Sequence, residues 1–519
     1  MSNFTIDDIL AGISDSLNKL QEQKDLKFKE ISNDSKTSED TTNNSDLSSK
    51  YTKEFFIKYA EDYIEFTYKN PTIYHVVDYF KTQLEKNGFK YISEKDSWTD
   101  IKPGKYFTTR NGSSLSAFVV GKDWTPSKGV GAIGSHIDSL TTVLKPNSTK
   151  AKVDGYELLG VAPYAGTLGS VWWDRDLGIG GRILIKDERN QITQHLVDST
   201  PNPIAHIPTL APHFGTPAQG YFNKETQAVP VIGFSQDSGP EPTESEKKAP
   251  LYGKHSLKLL RYIAKLANVK VEQISQWDLQ LYDVQKGTIG GLNKDFIFAP
   301  RIDDRICSFV ALHSLIESSN DNTLKSDSFS VVSLYDNEEV GSLSRAGAKG
   351  GIFELVIERI LSTEYFNPEQ LAISDELRQT YANTIVLSAD VTHLLNPNFQ
   401  EVYLDHHKPL PNKGITIELD PNGNLATDSI GLSLIEATAK KNNDEVQYFQ
   451  IRNGSPSGGT IGPSISTQTG ARTIDLGIPQ LSMHSIRATV GSKDVGLGIK
   501  FFNGFFKNWR STYDDYVDL

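Results

Sequence analysis

Three stretches of this chain read as buried strands that run into acidic or imidazole residues, and that pattern constrains the fold more than any other feature. Between Ser116 and Leu140 the run SAFVVGKDWTPSKGVGAIGSHIDSL reads as two strands, the second delivering His136 and Asp138 at its end. SVVSLYDNEE at 330–339 and TIVLSADVTH at 384–393 repeat the form. Short apolar runs bounded by polar residues fit strands covered on both faces. Helical segments lie between them, so the expected fold class is α/β, with reactive side chains carried at strand ends. The stretch EFFIKYAEDYIEFTYKNPTIYHVVDYFKTQLEKNGF reads as helix interrupted at Pro71, which has no N–H to give a helix interior.

At 519 residues the chain exceeds the roughly 250–300 residues that one core serves. Residues 141–285 differ from their flanks, being rich in Pro, Gly and Tyr with short β-like runs. Within them GGRILIKDERNQITQHLVD reads as a hairpin, and SQDSGPEPTESEKKAP as a polar loop. The expected organisation is a catalytic domain in two parts, 51–140 and 286–519, with a β-rich domain inserted between them.

The N-terminal residues need a separate reading. Ile6, Leu10, Ile13, Leu17 and Leu20 fall on one helical stripe, and Thr5 with Asp8 resembles a capping box, so 1–31 is expected to hold an amphipathic helix. Residues 32–50 contain one apolar residue, Leu47, and read as a flexible tether. The start lacks the basic and continuous apolar regions of a secretory signal, so synthesis in the cytosol is expected. No run approaches the roughly 18 apolar residues that span a bilayer, so no transmembrane segment is expected.

A net charge of −12 opposes binding to phosphate backbones, which makes nucleic acid a poor partner. Cys307 is the only cysteine, excluding an intramolecular disulfide and any multi-cysteine metal site. Metal ligands must then be His, Asp or Glu. Hydrolysis on two metals needs about five such ligands, one of them a bridging carboxylate, and a separate carboxylate to take a proton from the attacking water. The chain supplies His136 and Asp138 in GSHIDS, Asp303 in APRIDDR, Glu338 and Glu339 in YDNEEVGS, Asp390 in LSADVTH and His484 in SMHSIR. Singly, each fits a hydrogen-bonded structural histidine or a turn aspartate equally well. Their joint order, mostly after strand-like runs, favours chemistry. His206, His255 and His406 read as structural or surface residues.

The flanking words carry a resemblance. GSHIDS, APYAGTL, WWDRDLGIGGR, IPTLAPHFG, DVQKGTIGG, APRIDDR, YDNEEVGS, SADVTHLLNPNF, SGGTIGP and GIPQLSMHSIR resemble the M18 metallopeptidases from about Phe55 to the C-terminus. The resemblance implies an α/β zinc-peptidase catalytic domain with an inserted β-rich dimerisation domain, and two Zn2+ ions, for which Mn2+ or Co2+ could substitute. By it Asp303 bridges the ions, His136 and Asp390 complete one site, and Glu339 and His484 the other. Glu338 becomes the general base. Asp138, two residues beyond His136, accepts its ring N–H and fixes its tautomer. His213 in IPTLAPHFG becomes a residue that enters a neighbouring subunit's site to donate to the oxyanion.

The implied activity is removal of single N-terminal residues from peptides. Arg452 is the one cation near SPSGGTIGP, so neutral or hydrophobic residues such as leucine are expected over acidic ones. An aspartyl-type specificity is the alternative. A non-catalytic cargo scaffold of the same fold would show substitutions among the ligands, and none is seen. The fungal vacuolar branch of the family also carries an N-terminal helix and tether as a propeptide. Resemblance to it implies a homododecamer, recognition of the helix by a selective-autophagy cargo receptor, and cytoplasm-to-vacuole delivery. Asp304 stands where some relatives carry Asn, a difference beside the bridging position.

Overall fold

The computed structural model describes residues 50–215, 222–236 and 239–517. The amphipathic stripe at 6–20 and the tether lie outside the described residues. Lys53–Leu519 forms one compact unit.

Its framework is a nine-stranded sheet. In order across it run Lys90–Tyr91, Gly104–Arg110, Ser114–Val120, Phe329–Tyr335, Gly131–His136, Ile385–Ala389, Arg472–Gly477, Thr416–Glu418 and Gln447–Phe449. The four strands from Phe329–Tyr335 to Arg472–Gly477 are parallel, so their C-terminal ends share one edge. Arg472–Gly477, among the last strands made, sits inside the sheet between two earlier ones.

The apolar runs are continuous because successive side chains enter different cores. Ala117, Val119, Ile133, Val332 and Leu334 pack with the helices Lys53–Lys69, Ile73–Lys86, Ile302–Ser318 and Asp494–Tyr513. Phe118, Val120, Ala132, Val331 and Tyr335 pack with Ile352–Leu361 and Ser374–Ala382 on the other side. Period-two alternation sends neighbours to opposite faces, and burying each such side chain stabilises by roughly 1.5–3 kcal/mol. Pro71 lies between the first two helices, where the sequence places the break.

A second, six-stranded sheet lies between Thr141 and Asp283. Its order is Ile192–Asp198, Leu177–Lys186, Ile274–Asp283, Thr141–Thr149, Tyr156–Tyr164 and Val231–Phe234, and every pairing is antiparallel. One face carries Ile179, Ile183, Leu279 and Leu281 against Leu260 and Ile263 of the helix Leu257–Ala267. That helix starts where the Ser256 hydroxyl accepts the Leu259 N–H at 3.2 Å. The hairpin reading holds, with Asp187 Oδ1 accepting N–H bonds from Arg189 and Gln191 across the turn.

Two expectations need correction, and one strand went unread. The strand read at 330–339 stops at Tyr335, because the chain turns at Asn337, where φ is 61°. That read at 384–393 stops at Ala389. Gly104–Arg110, whose mixed sequence GKYFTTR gives no clear period, is a strand absent from the sequence reading.

Candidate active site

The parallel strands explain why distant residues meet. His136 ends its strand opposite Tyr335, and Asp138 lies just beyond the strand, not on it. Glu338 and Glu339 open a single 3-10 turn after Tyr335. Asp390 follows Ala389 directly, with its backbone pressed on the next strand. A Cβ on Gly477 would lie 1.4 Å from the Asp390 carbonyl oxygen, so only glycine fits there. Asp303 comes from the first turn of Ile302–Ser318, where its ψ of 118° departs from helical geometry and the Asp303–Asp304 peptide is cis. His484 stands on a loop at φ 63° and is the most exposed of the set.

Asp303 is central to the cluster. Its Oδ1 lies 3.3 Å from His136 Nε2 and its Oδ2 lies 3.3 Å from His484 Nε2. His136 Nε2 is also 3.4 Å from Asp390 Oδ1 and 3.9 Å from Glu338 Oε2. His484 Nε2 is 3.7 Å from Glu339 Oε2. Two triads are close enough to share an ion, His136 with Asp303 and Glu339, and His136 with Glu338 and Asp390. The shorter contacts sort the set differently, with His136, itself beside Asp390, on one oxygen of Asp303 and His484, with Glu339 near it, on the other.

Asp138 organises the surroundings. Its Oδ1 lies 3.3 Å from His136 Nδ1 and accepts the Glu338 N–H at 3.2 Å. Its Oδ2 accepts the Glu339 N–H at 3.2 Å and the Tyr164 hydroxyl at 2.7 Å. His136 Nδ1 also meets the Asp138 carbonyl oxygen at 3.1 Å, so main chain and side chain of Asp138 together fix the imidazole with Nε2 toward the acids.

The electrostatics are those of a cation site. Burial works against charge on His136, but Asp390, Asp138 and Asp303 outweigh it and hold the imidazole well above its usual range. Burial, opposed by His136 and reinforced by Asp390, Asp138 and Asp303, pushes Glu338 up to about 8. Burial and Asp303 raise Glu339 well above the carboxylate range. So many acids cannot all ionise together without positive charge among them. Glu339 Oε1 is buried with no hydrogen-bond partner, which leaves it available to a metal. Nitrogen and oxygen donors at these spacings fit zinc, and an entering ion would displace the bound protons.

His213 is not part of this cluster. It sits exposed on the turn Pro212–Phe214, and it does not line the cleft. His255 is buried against Trp277, and His206 meets the Arg175 carbonyl, so both are structural, while His406 is exposed. Sequence reasoning missed Tyr164 and Glu418. Tyr164 lies in APYAGTL, a word noted for its resemblance alone, and Glu418 is an isolated acid in GITIELD. The cleft over the cluster is walled by Glu418, Leu419, Leu425, Phe449, Ile451 and Met483.

A parallel sheet with such a cluster at its strand ends defines an α/β metallohydrolase. The chain belongs to the aminopeptidase I zinc metalloprotease (M18) family, whose description matches residues 66–506, and it is a zinc metalloaminopeptidase. It is 59% identical over 468 residues to vacuolar aminopeptidase 1 of Saccharomyces cerevisiae, covering 89% of this chain and 90% of that one. It is 38% identical to an aspartyl aminopeptidase of Aspergillus oryzae, covering 87% and 96%. Among solved structures, prApe1 superposes with a TM-score of 0.86 at 59% identity, covering 89% of this chain and 97% of that one. The S. cerevisiae mApe1 dodecamer gives 0.81 at 55% identity, covering 89% and 100%.

Proposed function

We propose that this enzyme removes single N-terminal residues, neutral or hydrophobic ones such as leucine, from peptides by means of two Zn2+ ions. His136 and Asp390 would hold one ion and Glu339 and His484 the other, with Asp303 shared between them. The observation that carries this reading is Asp303, which turns one oxygen to His136 and the other to His484, each at 3.3 Å. Zinc bound there would polarise the scissile carbonyl and make water a stronger acid.

The chain's own residues do the rest. Glu338, 3.9 Å from His136 Nε2, takes the proton of the attacking water and returns it to the leaving amine. Its raised affinity for a proton suits that exchange once bound cations offset part of the burial effect. Asp138 keeps His136 and the Glu338–Glu339 turn in place. His213, exposed on the turn Pro212–Phe214, would serve a neighbouring subunit.

The cleft supports a neutral preference. Leu419, Leu425, Phe449, Ile451 and Met483 form an apolar wall, Glu418 adds a carboxyl, and among the described residues no Lys or Arg lines the cleft. Arg452 is spent elsewhere, donating to the Glu401 carbonyl at 2.8 Å. An acidic substrate side chain would find no Lys or Arg there, and burial, with His484, holds the His393 imidazole in the same cleft below its usual range, so entry carries a desolvation cost.

Assembly and address complete the proposal. The relative in the mApe1 dodecamer supports a homododecamer here too, and the name of the yeast relative supports a vacuolar location. The stripe at 6–20 would supply the surface for a selective-autophagy cargo receptor. Metal analysis of purified protein, with leucine and aspartate anilides as paired substrates, tests the centre of the reading. Two zinc ions per chain and a leucine preference of roughly 10–200-fold are expected. One ion per chain at full activity, or faster cleavage of aspartate, would overturn it.

A further inference from the structure

The six-stranded sheet contributes one side chain to the metal cluster's surroundings. Tyr164 ends the strand Tyr156–Tyr164, and its hydroxyl donates to Asp138 Oδ2 at 2.7 Å. This is the shortest contact that the Asp138 carboxylate makes, the others being 3.2–3.3 Å. The same hydroxyl accepts from Asn337 Nδ2 at 2.9 Å. Asn337 is the residue whose φ of 61° launches the Glu338–Glu339 turn. One phenol therefore joins the loop after His136 to the loop after Tyr335.

The phenol is itself held firmly. Tyr164 pairs with Thr141 across the sheet, and its N–H donates to Thr167 Oγ1 at 3.1 Å. Thr167 Oγ1 in turn donates to the Thr141 carbonyl at 2.7 Å. Both ends of the contact are thus anchored, Tyr164 in one sheet and Asp138 beside the other.

We propose that Tyr164 is a positioning residue for the metal centre, acting through Asp138: its hydroxyl sets the carboxylate that orients His136 and receives the backbone of Glu338 and Glu339. The geometry of the zinc ligands then depends on the register of a sheet that supplies none of the five. Partners that orient metal-bound histidines typically contribute 10–100-fold to metal affinity or activity. This inference rests on the metal assignment made above.

The test uses the full-length holoenzyme and Tyr164→Phe, which keeps the ring and removes one oxygen. Chelator competition should show zinc held about 10–100-fold less tightly, and kcat should fall with KM unchanged. The melting temperature of the metal-stripped protein should not move. Because Tyr164 acts through Asp138, adding Tyr164→Phe to Asp138→Asn should cost little beyond Asp138→Asn alone. Asn337→Gly, which removes the second partner at a backbone angle glycine tolerates, should weaken zinc by less than Tyr164→Phe. Zinc affinity and kcat within twofold of the parent in Tyr164→Phe would overturn the proposal, as would full additivity with Asp138→Asn. Asp303→Asn separates the two readings. If it loses zinc while Tyr164→Phe does not, the metal centre stands and the role of Tyr164 falls; if it keeps zinc, the metal assignment itself falls.

Discussion

The two sheets handle burial differently. In the nine-stranded sheet Ser114–Val120, Gly131–His136, Phe329–Tyr335 and Ile385–Ala389 are buried along their whole lengths. In the six-stranded sheet Ile192–Asp198 is mostly exposed, and the cross-strand pair Arg182–Asp278 makes a hydrogen-bonded ion pair at 2.6 Å. A sheet covered on both faces has only its strand ends left for chemistry, and there the candidate ligands gather. A sheet covered chiefly on one face keeps a surface to offer to other molecules. The comparison separates a region built to hold reactive groups from one built to support them.

The sharpest test of that division is Glu338→Gln, at a strand end of the larger sheet. Turnover should fall by roughly 10²–10⁴-fold with zinc content and melting temperature intact. Near-normal turnover in the metal-replete variant would remove Glu338 from the chemistry. His213→Ala asks whether the smaller region also acts directly. A loss of about 10²–10³-fold without loss of zinc is expected if it donates to an oxyanion. Mixing His213→Ala subunits with Glu338→Gln subunits should restore activity above either parent, and no recovery would confine His213 to its own chain.

Packing offers a smaller effect. Phe118 and Leu334 face opposite cores of the larger sheet, so Phe118→Ala and Leu334→Ala should each cost about 2–5 kcal/mol in denaturant unfolding. In the smaller sheet Ile183→Ala should cost about as much, while Ile192→Ala, at a position 60% exposed, should stay within about 0.5 kcal/mol. Equal losses at Ile183 and Ile192 would contradict a single covered face.

A further effect, pH-dependent, follows from one histidine in each region. Burial lowers His313, beside Tyr79, and His255, beside Ser148, to about 4. Both are neutral in the fold at a pH where the unfolded chain already binds protons. Their contribution is present above about pH 6.5 and is lost as pH falls from 6.5 toward 4, by on the order of 1–3 kcal/mol each. Stability measured across that window should decline, and His313→Gln or His255→Gln should flatten the decline. A parent protein equally stable at pH 4 and 6.5 would refute it.

Much of this was legible in the residues, and the exceptions have causes. The buried strands announced themselves because two covered faces leave no polar alternation to confuse the reading, and the helix break at Pro71 follows from its missing N–H. The strand ends were overrun because the polar residues Asp336, Asn337 and Asp390 follow the apolar runs with no Gly or Pro to mark where the backbone turns. The five ligand candidates were readable as residue types in a fixed order. Tyr164 was not, because its meaning lies in a contact between two sheets, and a lone tyrosine in APYAGTL has no period or spacing to betray it. Glu418 was missed for the same reason, since only the fold turns it into a cleft wall.

The late strand Arg472–Gly477, lodged inside the larger sheet with His484 just beyond it, has a consequence for the birth of the molecule. A ribosome that has reached residue 470 has made neither the strand that joins Ile385–Ala389 to Thr416–Glu418 nor the final imidazole of the cluster. Pairings between residues so far apart form slowly. On the proposed assignment of His484, a nascent chain lacks a complete metal centre until that residue has been made and the sheet has taken in Arg472–Gly477.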